Sequence, residues 1–116
     1  MYIDGFAIPV PSDKKQAFID HARIVDAMFL ELGATRIVEG WGDDVPAGTV
    51  TDFARAVAAT GDETVAFSWI EWPDKATRDA AFEKMRDDPR MRDTPVPFDG
   101  KRMIFGGFDP VVILEK

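Results

Sequence analysis

Two segments of this chain are apolar in both strand phases, and that feature most restricts what it can fold into. In Tyr2 to Val10, one phase holds Tyr2, Asp4, Phe6 and Ile8, and the other holds Ile3, Gly5 and Ala7. In Glu63 to Trp72, Val65, Phe67 and Trp69 alternate with Ala66, Ser68, Ile70 and Trp72. A strand with two apolar phases needs cover on both faces. The chain has 116 residues, enough for one domain over 1–116 and too few for two ordinary ones. It has no cysteine, so it folds without disulfide staples and offers no thiolate for catalysis or metal binding.

Between the two strands, Ser12 or Asp13 can cap a helix, with Gln16 placed as in a capping box. Its apolar stripe is Phe18, Ala22, Val25, Phe29 and Leu32, widened by Ile24 and Met28, and Gly33 is a natural C-cap. Ile19 and Leu30 form a second apolar pair on another face. Thr35 to Trp41 reads as a second strand, followed by a turn-rich loop from Gly42 to Gly48. Thr51 to Ala59 reads either as a short helix capped by Asp52 or as an irregular edge segment. After the strand at Glu63 to Trp72, a helix runs from Pro73 and Asp74 to about Arg86 and stops at Asp88-Pro89. A turn at Asp99-Gly100 precedes a strand from Arg102 to Phe108, and Val111 to Leu114 could add a short terminal one.

Two strand–helix–strand units of this size fit an α+β, ferredoxin-like sandwich with an antiparallel sheet and both helices on one face. Helices on one face leave the other apolar phase without cover, and a contiguous apolar face in water is unusual. The expected remedy is a homodimer in which two such sheets pack face to face.

Charge narrows the partners. Asp and Glu outnumber Lys and Arg by 21 to 14, a formal charge of −7, which argues against a broad nucleic-acid surface. Arg86, Arg90 and Arg92 are interrupted by Asp87 and Asp88, and Lys101-Arg102 is an isolated pair. The first residues lack the basic-then-apolar pattern of a signal peptide, and no run reaches the length of a membrane span. The expectation is a cytoplasmic protein with no membrane partner.

Several segments resemble the uncharacterised bacterial family numbered 1428 among domains of unknown function. They are Met1 to Phe6, Asp43 to Gly48, Phe53 to Val57, Glu63 to Trp69, Asp88 to Met91 and Pro97 to Phe108. Phe105 stands where many relatives would have Tyr, and Val96 where they would have Met, changes that leave the fold intact. The resemblance implies the dimeric α+β barrel superfamily, and it supplies no substrate or catalytic residue. It carries an association with signal-recognition RNA for some relatives, against which the acid excess and the lack of an RNA-reading motif both count.

The candidate chemistry is sparse. His21, the only histidine, sits in the helix stripe and could be a general base or a satisfied packing residue. Arg78 shares a face with Ala81, Phe82 and Met85, where it could clamp a carboxylate or lay its stem over the ridge. Asp4, Glu39 and Glu71 are strand carboxylates, in phase with Phe6, Trp41 and Trp69 respectively. Burial beside one another would raise one pKa toward acid–base use; exposure or pairing with Arg36 and Arg102 is the alternative. Trp41, Phe67 and Trp69 are candidates to line a ligand cavity. Asp43-Asp44 and Asp87-Asp88 match no complete metal loop, and Gly106-Gly107 lacks a phosphate-binding context, so neither a metal nor another cofactor is expected. These residues support a dimer that binds or transforms a small apolar or aromatic metabolite, or a non-enzymatic binding or regulatory protein.

Overall fold

The computed structural model describes residues 1–116. The chain runs β1 (Tyr2–Pro11), a 3-10 turn (Ser12–Lys14), α1 (Lys15–Glu31), β2 (Arg36–Trp41) and α2 (Phe53–Ala56). It continues through β3 (Glu63–Trp72), α3 (Lys75–Arg86), α4 (Pro89–Asp93) and β4 (Ile104–Phe108). The four strands form one sheet in the order β2-β3-β1-β4, all neighbours antiparallel. That order, with a helix after β1 and another after β3, is the ferredoxin-like arrangement.

The dimeric α+β barrel that the resemblance implies is not what the sheet forms, because the sheet is open. β2 and β4 are free outer edges of an open sheet, and four strands are about half the number that closes around a filled interior. Two apolar phases in a strand report that both faces want cover, not that the strands close on themselves.

Each phase goes to a different environment. Asp4 lies opposite Ile70 and Ile8 opposite Ala66, so the even-numbered residues of both central strands share the helix side. There Ile8, Val10 and Ala66 pack on Phe18 of α1, while Ile70 and Trp72 pack on Ala81 of α3 and on Ala34 between α1 and β2. Phe29 and Phe82 meet Trp72 edge-on, with ring centroids 6.0 and 6.1 Å away. The odd-numbered phase, including Ile3, Gly5, Ala7, Phe67 and Trp69, faces away from α1 and α3, and the α2 segment covers one end of it, where Ala7 and Val65 are buried with Val57.

Local signals set the element ends. Asp74 caps α3 by accepting the Thr77 N–H at 2.7 Å, and Gly33 ends the α1 turn at φ 115°. The capping box expected at α1 is replaced. Ser12 reaches Thr64 instead (2.8 Å) and Gln16 donates to Asp20 (2.9 Å), because a 3-10 turn separates Asp13 from the helix proper. Thr51 to Ala59 resolves as a helical turn, and Asp88-Pro89 starts α4 as well as ending α3. The segment from Val111 to Leu114 is in no strand. No helix is long and apolar enough to cross a membrane.

Candidate functional site

The face turned away from α1 and α3 is concave. A cavity of about 740 Å³ lies against it, floored by β1, β3 and β4. Gly5 and Gly106 are direct register partners there, and the Phe108 ring lies over both, 3.7 and 3.5 Å from where their Cβ atoms would stand. Gly107, on the opposite side of β4, is needed for close approach, since a Cβ would come within 2.8 Å of Tyr2 ring carbons. Phe67 and Trp69 form the wall at β3, with ring centroids 6.2 Å apart, and Phe53 of α2 meets Phe67 edge-on at 5.8 Å. Much of this apolar surface is in water: Phe67, Ile104 and Phe108 are 47%, 47% and 61% exposed.

Polar groups at the cavity are few, Thr51 and Asp52 among the lining residues, and the Asp52 carboxylate is already engaged. Asp52 caps α2, taking the Arg55 N–H at 2.7 Å and the Gly48 N–H at 3.1 Å. Those two backbone donors, Arg55 first, hold its pKa below the ordinary carboxylate value. The Trp69 indole donates to Glu71 at 2.9 Å, which fixes the ring against the open face.

A charged clamp anchors the approach to β4. Arg102 donates to both carboxylate oxygens of Glu63 at 2.7 Å, to the Ala58 carbonyl at 2.9 Å and to Asp99 at 3.0 Å. Arg102, followed by the Thr60 N–H, pulls the Glu63 pKa from 4.5 down to about 2. A carboxyl whose folded pKa is depressed adds stability that is complete above its unfolded value. Stability should therefore fall as pH drops from 4.5 through 2, and Glu63→Gln should flatten that acid limb. Urea midpoints measured across this range check it; identical limbs in both proteins would refute it.

The other candidate residues lie on the helix side. Asp4 and Arg78 come together: Arg78 Nη2 is 2.8 Å from Asp4 Oδ1, and its Nε is 3.1 Å from Oδ2. His21 donates from Nδ1 to the Pro95 carbonyl at 3.0 Å and meets the Phe98 ring edge-on, tying α1 to the loop before β4. Trp41 packs against Phe18 at 5.8 Å rather than toward the cavity, whereas Phe67 and Trp69 line it. Glu39 does sit beside another carboxylate, but its neighbour is Asp26 of α1 and not a strand residue. Burial first, then hydrogen bonding to and repulsion by Glu39, push the Asp26 pKa from 3.8 up to about 8. Asp26 was legible only as an acidic residue four after Ala22 and three before Phe29, on the flank of the α1 stripe. No group of three or more Asp, Glu or His side chains converges in a way that could hold a metal ion.

These features define an open-faced ferredoxin-like α+β protein whose uncovered sheet side is aromatic and concave. The chain belongs to the family described as "Protein of unknown function (DUF1428)", which matches residues 1–100. It is 54% identical over 113 residues to "Uncharacterized protein YbaA" of Escherichia coli (strain K12), covering 96% of this chain and 97% of that protein. The protein of the same name from Shigella flexneri matches with the same identity and coverage. β4 and the residues after it lie beyond the family match, yet the likeness to these relatives runs over nearly the whole chain.

Proposed function

We propose that this chain is a one-domain, cytoplasmic homodimer that binds a small apolar or aromatic metabolite on the open face of its sheet. The carrying observation is the cavity of about 740 Å³ on that face. Its size falls in the range of roughly 300–1,000 Å³ typical of small-molecule sites, and its walls are aromatic. The Phe67 and Trp69 rings offer a planar molecule two surfaces to lie against. A second copy of the chain over this face would take its exposed apolar side chains out of water. A cysteine-free chain suits a reducing compartment.

Binding is favoured over catalysis by where the titratable groups fall. His21, Arg78, Asp4 and Glu39 are across the sheet from the cavity, and both oxygens of Asp52 accept backbone N–H groups. Glu71 is the one acid–base candidate sharing the open face, and it is engaged by the Trp69 indole. A transforming activity would have to recruit that carboxylate.

Titration with 2-naphthol, followed by tryptophan fluorescence and paired with native mass measurement, tests the reading. Saturable quenching is expected, absent in Trp69→Phe and weakened by about tenfold or more in Phe67→Ala. Phe67 is 47% exposed, so its truncation leaves the fold standing. A dimer that shows no saturable quenching would overturn the ligand site, and a monomer at micromolar concentration would overturn the assembly.

A further inference from the structure

We infer that residues 109–116 form an exchange arm, which crosses to a second copy of the chain and lies over the mouth of that copy's cavity. This rests on the homodimer proposed above and adds to it a contribution of each chain to its neighbour's site.

The arm is apolar where the single chain leaves it bare. Val111, Val112, Ile113 and Leu114 are 90%, 74%, 55% and 90% exposed. None of the backbone hydrogen bonds outside helices and strands involves this segment, and the last strand ends at Phe108. Four consecutive buried-type side chains in water are an unusual cost for a folded domain.

The arm is also built to stay extended. Pro110 has no N–H to continue a ladder, and Asp109 before it is steered away from helical geometry. Val111, Val112 and Ile113 are β-branched, and the segment contains no Gly or Asn on which to reverse. Pro110 still lines the cavity rim, so the residues after it leave from that rim. To cover their own cavity they would have to double back at once, without a turn former. Residues 111–116 extended reach roughly 20 Å, about twice the separation of two packed sheets.

Surface area favours a second copy as the occupant. The chain exposes 7673 Å². A compact monomer of 12.9 kDa should expose about 6,300 Å². The difference exceeds the roughly 800 Å² that each partner contributes to a standard interface. Arm and open face are both apolar and come from one sequence, so a two-fold pair makes the same contact twice and leaves neither unmatched.

The absence of native cysteine makes a site-specific test simple. Val112→Cys, at a position 74% exposed, is labelled with a benzophenone maleimide. Nitrogen-15-labelled and unlabelled copies are co-refolded and irradiated, and the joined peptides are identified by mass. Crosslinks should join an arm of one isotope to α2 or β3 peptides of the other. A chain stopped after Asp109 should dissociate to monomer at least about tenfold more readily than the full chain. Crosslinks confined to one copy, or reaching only the partner's helix side, would overturn the arm while a dimeric native mass left the assembly standing. An unchanged dissociation constant in the shortened chain would overturn the arm in the same way. A monomeric full-length chain would overturn both.

Discussion

Replacing Arg78 with alanine should cost the fold about 3–5 kcal/mol, the expected penalty for stripping the partner from a buried charge. Asp4 is 1% exposed and is the third residue of β1. It accepts from Arg78 Nη2 at 2.8 Å, from its Nε at 3.1 and 3.2 Å, and from the Trp72 indole at 2.8 Å. Removing the guanidinium leaves one neutral donor to stabilise a carboxylate sealed between α3 and the sheet. The loss extends beyond charge, because the guanidinium carbon lies 4.6 Å from the Phe82 ring centroid and 5.3 Å from that of Tyr2. Hydrogen bonding to Asp4 in turn raises the Arg78 pKa, so no accessible pH relieves the pair by deprotonating the arginine. Urea unfolding of Arg78→Ala, Asp4→Asn and the double variant forms the cycle that checks this. The double variant should be more stable than Arg78→Ala alone, since the asparagine carries no stranded charge. A penalty for Arg78→Ala below about 1 kcal/mol would mean that water reaches Asp4 and that the pair is not sealed.

Asp26→Asn should act in the opposite direction and stabilise the protein by about 1–2 kcal/mol at pH 8.5, allowing for partial solvent screening. The sign follows from proton binding. Asp26 titrates near 8 when folded and near 3.8 when unfolded, so between those values the native state holds the extra proton. Stability contributed by this site is therefore greatest at the acid end of the window and declines as pH rises toward 8. Glu63, depressed to about 2, has already finished titrating there and cannot mask the slope. Asparagine keeps the shape of the aspartate, removes its repulsion with Glu39 and abolishes that slope. Urea midpoints at pH 5.5 and 8.5 should diverge in the parent and coincide more closely in the variant. Parallel behaviour of the two proteins would show that the carboxyls are not coupled in solution.

The two acidic sites separate what spacing can reveal from what it cannot. Alternation put Asp4 in phase with Phe6, and the stripe put Arg78 in line with Ala81 and Phe82. Nothing in either segment stated that the two would meet, because they are 74 positions apart and their contact depends on α3 folding back over β1. Glu39 has a carboxylate beside it, but that neighbour is Asp26 of α1 and not a residue of another strand. The tryptophans divided for the same reason. Trp69 and Trp41 are both strand residues, and which sheet face each occupies follows from the β2–β3 register, which sets Trp41 opposite Ala66 and Val38 opposite Trp69.

Period and punctuation in the chain were enough to place its main strands and its two long helices. The alternation in Tyr2 to Val10 and Glu63 to Trp72, the four-and-three spacing from Phe18 to Leu32, and the caps at Asp52 and Asp74 are local properties that survive any arrangement. They also required that both faces of the central strands be covered. Only the tertiary structure decided how that requirement is met within one chain. α1 and α3 take the even-numbered face, β2 and β4 remain open edges, and Gly5 and Gly106 meet beneath Phe108 to floor an aromatic hollow. The physical reason is that periodicity records how a residue faces relative to its neighbours in sequence. Which surfaces then come into contact is set by strand register and by helix packing across the sheet, and neither is written in any single segment.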